Sequence, residues 1–428
     1  MHYKRRLPRH RTPCSTLLSE DHQNSGGFSA PGSRNERNFV QIGYHTRSAH
    51  LPLPAQTKDS INIKFIHPVY DEPKDIASKS VGPTFIGACY PKASNKSILN
   101  ILACASKRIG AVTPKIDRNR LLQLILFTRA FCRNNFKQLA ADDPISFEEW
   151  IADAPYTPIR KEQLRAAYES LQSDPICAKD FNVKSFIKEE SYDVYKCPRG
   201  IYSRTDRFKV YVAPLISKIQ KLVFSHPAFI KTVPVQERAA YIDRLFEGSI
   251  GSYYAGDYTA YESHFTKEFF ECTEFIAYDY ICQLNPIAIA ILTLFKRVVS
   301  GLNYIIFRTV SLKVAATRMS GEMNTSLGNG LVNLIIINFI CCELHNNSVT
   351  CIVEGDDSLF RTTASVTSED FISCGLTCLL EKHEKIHTAS FCGIIYHPHD
   401  GNIITDPIKV LLKTPYLPRK WCTSSTKV

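Results

Sequence analysis

No apolar run in this 428-residue sequence is long enough to cross a bilayer. The longest, Leu331 to Cys342 and Pro286 to Phe295, fall short of the roughly 20 residues a spanning helix needs, and Asn333 and Asn338 interrupt the first. No transmembrane helix is expected, and no secretory leader is recognisable at the start of the sequence. No internal repeat is visible either. Acid is in short supply, with 41 Asp and Glu against 52 Lys and Arg, a net charge of +11 and a pI near 8.9. That imbalance favours a polyanionic partner, nucleic acid before membrane. A disulfide framework is also missing: the 15 cysteines are scattered through apolar segments, as at Cys341 and Cys342, so buried thiols in a reducing compartment are expected.

What remains is an ordinary globular composition, 44% apolar and 22% charged, on a chain long enough for two or three domains or one multi-lobed one. The first 48 residues hold eight basic and three acidic side chains among Pro, Ser, Gly and Asn, and lack the apolar surface to offset their ordering entropy. A disordered basic arm is expected there, with RNA binding as one role. Short β-like pieces follow at Ile61 to Ile66 and Pro83 to Ile86. Helical spacing of Leu121, Leu122, Ile125, Leu126, Ala130 and Phe131, then a Ser146-Phe-Glu-Glu149 capping box, predicts scaffold helices. From Phe186 to Lys221, basic residues alternate with Tyr192, Tyr195, Tyr202, Phe208 and Tyr211, the pattern of a strand-and-loop finger that neutralises phosphates.

The chemistry centres on Cys351-Ile-Val-Glu-Gly-Asp-Asp-Ser-Leu359, which spells strand, tight turn, strand. Asp356 and Asp357 would stand at a hairpin tip, where two repelling carboxylates call for a cation such as Mg²⁺. Upstream, Ser252 to Ala255 reads as a buried strand leading to Asp257, with Glu262 near the start of the helix that Phe265, Phe269, Cys272 and Ile276 predict. Between them, Ser320 to Asn329 is a polar, glycine-containing loop entering an apolar helix.

In that order, Asp257-x4-Glu262, Ser320-Gly321-x3-Thr325-x3-Asn329 and Gly355-Asp356-Asp357 resemble motifs A, B and C of viral RNA-dependent RNA polymerases. With Lys188-Glu-Glu and Lys196-Cys-Pro-Arg-Gly-Ile201 upstream as motif F, the wording is most similar to the tombusvirus-like polymerases of positive-strand RNA viruses. The resemblance covers roughly Phe186 to Lys413. It implies an α+β right-hand polymerase with an antiparallel palm sheet flanked by helices. Asp257 and Asp356 would hold two Mg²⁺ ions, with Mn²⁺ as a substitute and Asp357 as a weaker ligand. Glu262 and Asn329 would read the ribose, supported by Ser320, Gly321 and Thr325. Lys188, Lys196, Arg199 and Arg204 would line the triphosphate channel. Lys382 and Lys385 both qualify as the motif D general acid, Ser390-Phe-Cys-Gly393 resembles motif E, and Lys409 and Lys413 resemble the start of the thumb.

The implied domains are a disordered arm over 1–55, an N-terminal extension and fingers over 56–245, a palm over 246–395 with a fingers insertion near 285–318, and a short or truncated thumb over 396–428. Implied partners are template and nascent RNA, nucleoside triphosphates and other viral replication proteins that tether the enzyme, at membrane-associated sites in the host cytoplasm. A reverse transcriptase is disfavoured by Gly355 and by the pair Glu262 and Asn329. A non-catalytic RNA-binding or coat protein has no use for carboxylates at both Asp257 and Asp356. Cys374-x3-Cys378 with His383-x3-His387 resembles a zinc site, but four residues between its halves are too few for the usual finger, and the cysteines are expected to pack a helix on the sheet.

Overall fold

The computed structural model describes residues 39–44, 47–52, 58, 61–66, 78–80, 90–91, 93, 97–188, 190–192, 196–398, 401–413 and 416–418. For the strands at 39–52, 78–80, 90–91, 191–192 and 416–418, and for residues 409, 412 and 413, it gives the backbone course alone. The arm before Phe39, the piece Pro83 to Ile86, Glu189, Tyr195 and the side chains of Tyr192, Lys409 and Lys413 lie outside the described residues. Within the expected arm, Phe39–Tyr44 and Arg47–Pro52 pair as an antiparallel hairpin.

Two sheets organise the rest. Their strands are β1 (Asn62–Phe65), β2 (Val183–Ile187), β3 (Gly200–Arg204), β4 (Ser252–Tyr258), β5 (Leu302–Ile306), β6 (Val310–Ala315), β7 (Thr350–Glu354), β8 (Asp357–Thr362) and β9 (Cys378–His383). The first sheet has the order β1-β6-β5-β2-β3, antiparallel except where β5 runs parallel to β2. The strands of 302–315 thus join a sheet otherwise built from residues 62–204. The second sheet, β7-β8-β4-β9, is antiparallel throughout. Antiparallel sheets with flanking helices give the α+β class expected.

The main helices are α1 (Arg118–Asn135), α2 (Asp206–Val223), α3 (Glu274–Cys282), α4 (Pro286–Val299) and α5 (Thr325–Asn338). All five contribute to one core with Tyr254, Tyr258, Val353 and Phe360 on one face of the second sheet, and α5 lies directly against β7 and β8. Tyr253, Ile352 and Leu359, on the other face by alternation, pack with Ile242, Phe246 and Tyr396. Helix α5 is apolar on all sides, so it is buried on all sides, and Leu331, Leu334 and Ile335 each contribute about 1.5–3 kcal/mol of burial. With the π turn that follows, it runs from Thr325 to Leu344, long and apolar enough to cross a membrane by length and composition. That corrects the length read from the apolar run alone. Its apolar window is 72% buried inside the fold, which makes it a core helix.

Two sequence readings shift. The basic, aromatic stretch up to Lys221 is not one finger: β2 and β3 form a hairpin, and at Thr205, whose hydroxyl accepts from the Phe208 N–H, the chain turns into α2. Phe208, Val212, Leu215, Ile216 and Ile219 make that helix amphipathic, while Lys218 and Lys221 pair with Glu149 and Asp153. The helix predicted after Asp257 begins later, at Lys267, where Thr266 caps it by accepting from the Phe269 N–H. Between them lie a left-handed Ala260 (φ 49°) and a single 3₁₀ turn, Tyr261–His264, so Glu262 sits in that turn.

Candidate active site

The β7–β8 hairpin closes through Gly355 and Asp356, with Glu354 opposite Asp357. Gly355 takes a φ of +63°, a left-handed conformation that glycine adopts without a Cβ penalty, and both aspartates are exposed at the tip as expected. Ser358 pairs with Gly256 on the adjacent β4, so the next step outward sets Asp357 across from Asp257, also exposed. Strand alternation puts these two side chains on one face.

The three carboxylates feel one another. The Asp357 carboxyl is pushed up to about 6 by desolvation, then by Asp356, with Asp257 and Glu354 adding to it and the Cys392 thiol opposing. Desolvation also raises Asp356; its own backbone N–H and Arg199 oppose that rise, while Glu262 and Asp257 reinforce it. Such a set is stabilised by a cation. Among the described residues no three His, Cys, Asp or Glu side chains stand together closely enough to hold a metal ion by themselves. An open carboxylate edge fits Mg²⁺, which usually takes one or two protein carboxylates and shares the rest of its sphere with water and phosphate. Cys374 and Cys378, of the zinc alternative, lie in the main core.

Behind the tip, the Asn333 amide of α5 donates toward the carbonyls of Gly355, Asp356 and Asp357 at 3.3, 3.1 and 3.2 Å, and its oxygen accepts from the Tyr258 hydroxyl at 3.0 Å. Sequence reading noted Asn333 only as an interruption of an apolar run.

Glu262 is engaged by a residue that sequence reading passed over. Arg108, in the π turn Ala105–Ile109, grips it bidentately, Nε to Oε1 at 2.6 Å and Nη2 to Oε2 at 3.0 Å. Desolvation opposes ionisation of Glu262, but Arg108 outweighs it and holds the carboxyl below its usual value. Lys58, lowered to about 8 by burial against the pull of Glu262, donates to the neighbouring Ser263 carbonyl.

In the Ser320–Asn329 loop, Ser320 Oγ donates to the Gly200 carbonyl at 2.9 Å, Gly321 N to the Tyr202 carbonyl at 2.7 Å, and Thr325 Oγ1 to the Met319 carbonyl at 2.9 Å. The first two bonds hold the loop on β3, and the third closes the loop on itself. Asn329 differs: its side-chain oxygen is buried without a hydrogen-bond partner, while its backbone carbonyl accepts from the Tyr261 hydroxyl at 3.3 Å. An orphan buried acceptor suits a hydroxyl donor from a ligand.

Of the basic residues, Arg199 and Lys188 converge on Glu190, which burial would raise but whose carboxyl those two cations draw down to about 2. Arg199 also lies within electrostatic reach of Asp356. Lys196 is exposed on the same loop. Arg204 does not join them: it is buried, with Nε on Glu322, Nη1 on the Phe181 carbonyl and Nη2 on Asn303. As the last residue of β3 it faces inward, and each of its three guanidinium nitrogens has a partner inside the fold. Lys382 pairs in register with Tyr254 and so falls on the opposite sheet face from Asp257, about 10 Å along β9 from the residue facing Asp257. Lys385 lies beyond the end of β9, so neither lysine is brought to the carboxylates.

Residues 152–372, just over half of the chain, match the family model described as viral RNA dependent RNA polymerase. The chain is 24% identical over 294 residues to the RNA-directed RNA polymerase of Melon necrotic spot virus, covering 62% of this chain and 36% of that protein. It is 22% identical over 275 residues to that of Turnip crinkle virus, with 60% and 35% covered, and 23% identical over 301 residues to that of Tomato bushy stunt virus (strain Cherry), with 66% and 36% covered. The chain thus spans little more than a third of the length of these curated relatives. The tombusvirus-like resemblance read from the motifs is borne out, and the matched segment contains Asp257, the Ser320–Asn329 loop and the Gly355–Asp357 turn. The chain belongs to the viral RNA-dependent RNA polymerase family.

Proposed function

We propose that this chain is an RNA-directed RNA polymerase that copies viral RNA by transferring nucleoside monophosphates from triphosphates to an RNA 3′ end, releasing pyrophosphate. The observation that carries this reading is the register setting Asp357 across from Asp257 beside the Asp356 turn, three mutually repelling carboxylates at one open edge. In this reading the four-stranded sheet is the palm, the five-stranded sheet belongs to the fingers, and the residues after 395 begin a short thumb. Two Mg²⁺ ions, or Mn²⁺ in their place, held by Asp257 and Asp356 with Asp357 as the weaker ligand, would activate the attacking hydroxyl and neutralise the leaving pyrophosphate.

The protein's own groups do the positioning. Arg199, whose planar fork matches a phosphate, exchanges Glu190 for the triphosphate, and Lys188 and Lys196 add charge along the same loop. Asn329 Oδ1 accepts from a ribose hydroxyl; a deoxynucleotide leaves it unpaired. Glu262 acts beside it from the grip of Arg108. The same reading places the protein at membrane-associated replication sites in the host cytoplasm, tethered by other viral replication proteins.

The test is incorporation on an RNA template with ribo- or deoxynucleotides. A ribonucleotide preference of about a hundred-fold or more is expected from one unpaired buried acceptor and its neighbours; equal use, or a preference for deoxynucleotides, would favour a reverse transcriptase.

A pH effect accompanies the carboxylate edge. Because the folded-state value of Asp357 is raised, its ionised form is disfavoured in the fold, and the contribution of this carboxyl to stability declines as pH rises from the ordinary aspartate value of about 3.9 through about 6. A divalent cation reverses that repulsion once the proton has left. The gain in melting temperature on adding Mg²⁺ is expected to be larger at pH 7 than at pH 5; an equal gain at both would contradict a carboxylate-held ion.

A further inference from the structure

We propose that Asn333 is a positioning residue of this site: from inside α5 it fixes the backbone of the Gly355–Asp357 turn, and so the geometry in which the carboxylates are presented. The inference rests on the polymerase reading and extends it to a residue outside the motif positions. The Asn333 side chain is fully buried, and its single amide nitrogen serves three successive carbonyls of the turn at 3.1–3.3 Å. Its oxygen is held by Tyr258, the residue after Asp257.

The surroundings argue against a packing role. Every other residue of α5 from Leu331 to Ile337 is apolar and buried, so a leucine at 333 would suit the helix better. What it would not supply is a donor, and inward carbonyls at the turn would lose their partner at about 1–3 kcal/mol. The same helix carries Asn329 one turn earlier, and spacing of four places both asparagines along one side of it. Asn329 connects back through its carbonyl to Tyr261, whose ring stacks on Tyr258 with centroids 4.3 Å apart. Gly330 allows the close approach: a Cβ there would lie 3.4 Å from the Gly355 nitrogen and 2.9 Å from the Phe229 ring. Helix α5 therefore acts as a ruler between the orphan acceptor and the carboxylate turn.

The test uses the full chain with Asn333→Leu and, as a same-shape variant that replaces the donor by an acceptor, Asn333→Asp. Thermal unfolding establishes which variants fold. In a folded variant, amide exchange at Gly355–Ser358 is expected to accelerate about ten-fold or more. Mn²⁺ alone, titrated by its paramagnetic resonance signal, is expected to bind about 10–100-fold more weakly, and kcat for incorporation to fall by a similar factor with nucleotide KM within about two-fold. Exchange and Mn²⁺ affinity that stay within about two-fold of wild type in either folded variant would overturn the proposal. A wild type without templated synthesis, whose turn nevertheless loosens and loses Mn²⁺ in the variants, would overturn the polymerase reading and support the clamp.

Discussion

Replacing Glu274 by alanine is expected to cost the fold about 3–5 kcal/mol, because it leaves a guanidinium charge buried without a counter-charge. Glu274 and Arg318 are both fully buried; Arg318 Nη1 donates to Oε1 at 3.2 Å and Nη2 to Oε2, while Asn324 adds a hydrogen bond to Oε1 at 2.7 Å. The guanidinium carbon sits 4.0 Å from the Phe265 ring centroid and 5.1 Å from that of Phe270. Water cannot easily reach the gap left by the missing carboxylate, since Gly328 packs so closely that a Cβ there would meet both Glu274 oxygens at 2.6 Å. The pair also fixes the site: Arg318 N donates to the Glu262 carbonyl at 3.1 Å, and Asn324 opens α5. Glu274→Gln keeps the shape and should lose less than the alanine variant. Urea unfolding measures both; a loss below about 1 kcal/mol for Glu274→Ala would show that the charge finds other compensation.

That pair marks where the sequence stops being legible. Glu274 opens α3, whose other charged residue, Asp279, faces solvent, and nothing local shows that Arg318, 44 positions later, will meet it. Arg108 and Glu262 are farther apart still, at 154 positions. Long-range ion pairs are set by topology, which local pattern does not encode. The hairpin at Gly355 and Asp356 was legible because its apolar flanks and its glycine act within a few residues of the turn. The helix over 118–135 was legible from period, and Ser146 caps its helix by accepting from the Glu149 N–H as read. Helix α2 was masked because its exposed face is basic and aromatic, the same composition as a phosphate-binding loop. Arg204 was misplaced for a related reason: residue type identifies a phosphate binder, but only the alternation of buried and half-buried residues along β3 shows that its side chain turns inward. Asn333 was seen as a break in hydrophobicity, while its use became plain only with the turn packed against it.

The second large effect concerns the carboxylate edge itself. Asp356→Ala is expected to lower nucleotide incorporation by roughly a thousand-fold or more, since it removes a ligand from ions that would supply several kcal/mol of transition-state stabilisation. Folding should be spared. Asp356 is an exposed turn residue, and relieving its repulsion with Asp357 removes one contribution that raises that neighbour's proton affinity. Asp257→Ala should act in the same direction from the adjoining strand, whereas Asp357→Ala, across from Asp257, should be less severe if Asp357 is the weaker ligand. Equal loss at all three would mean that the two aspartates of the turn share the work.

The most direct measurement is templated synthesis by the full chain on an RNA of defined sequence, with ribonucleoside triphosphates and Mg²⁺, comparing wild type with Asp356→Ala at matched folded fraction. The expected result is an RNA product complementary to the template from the wild type and almost none from the variant. Complementary product formed at the wild-type rate by Asp356→Ala would contradict the assignment of the site to this carboxylate edge.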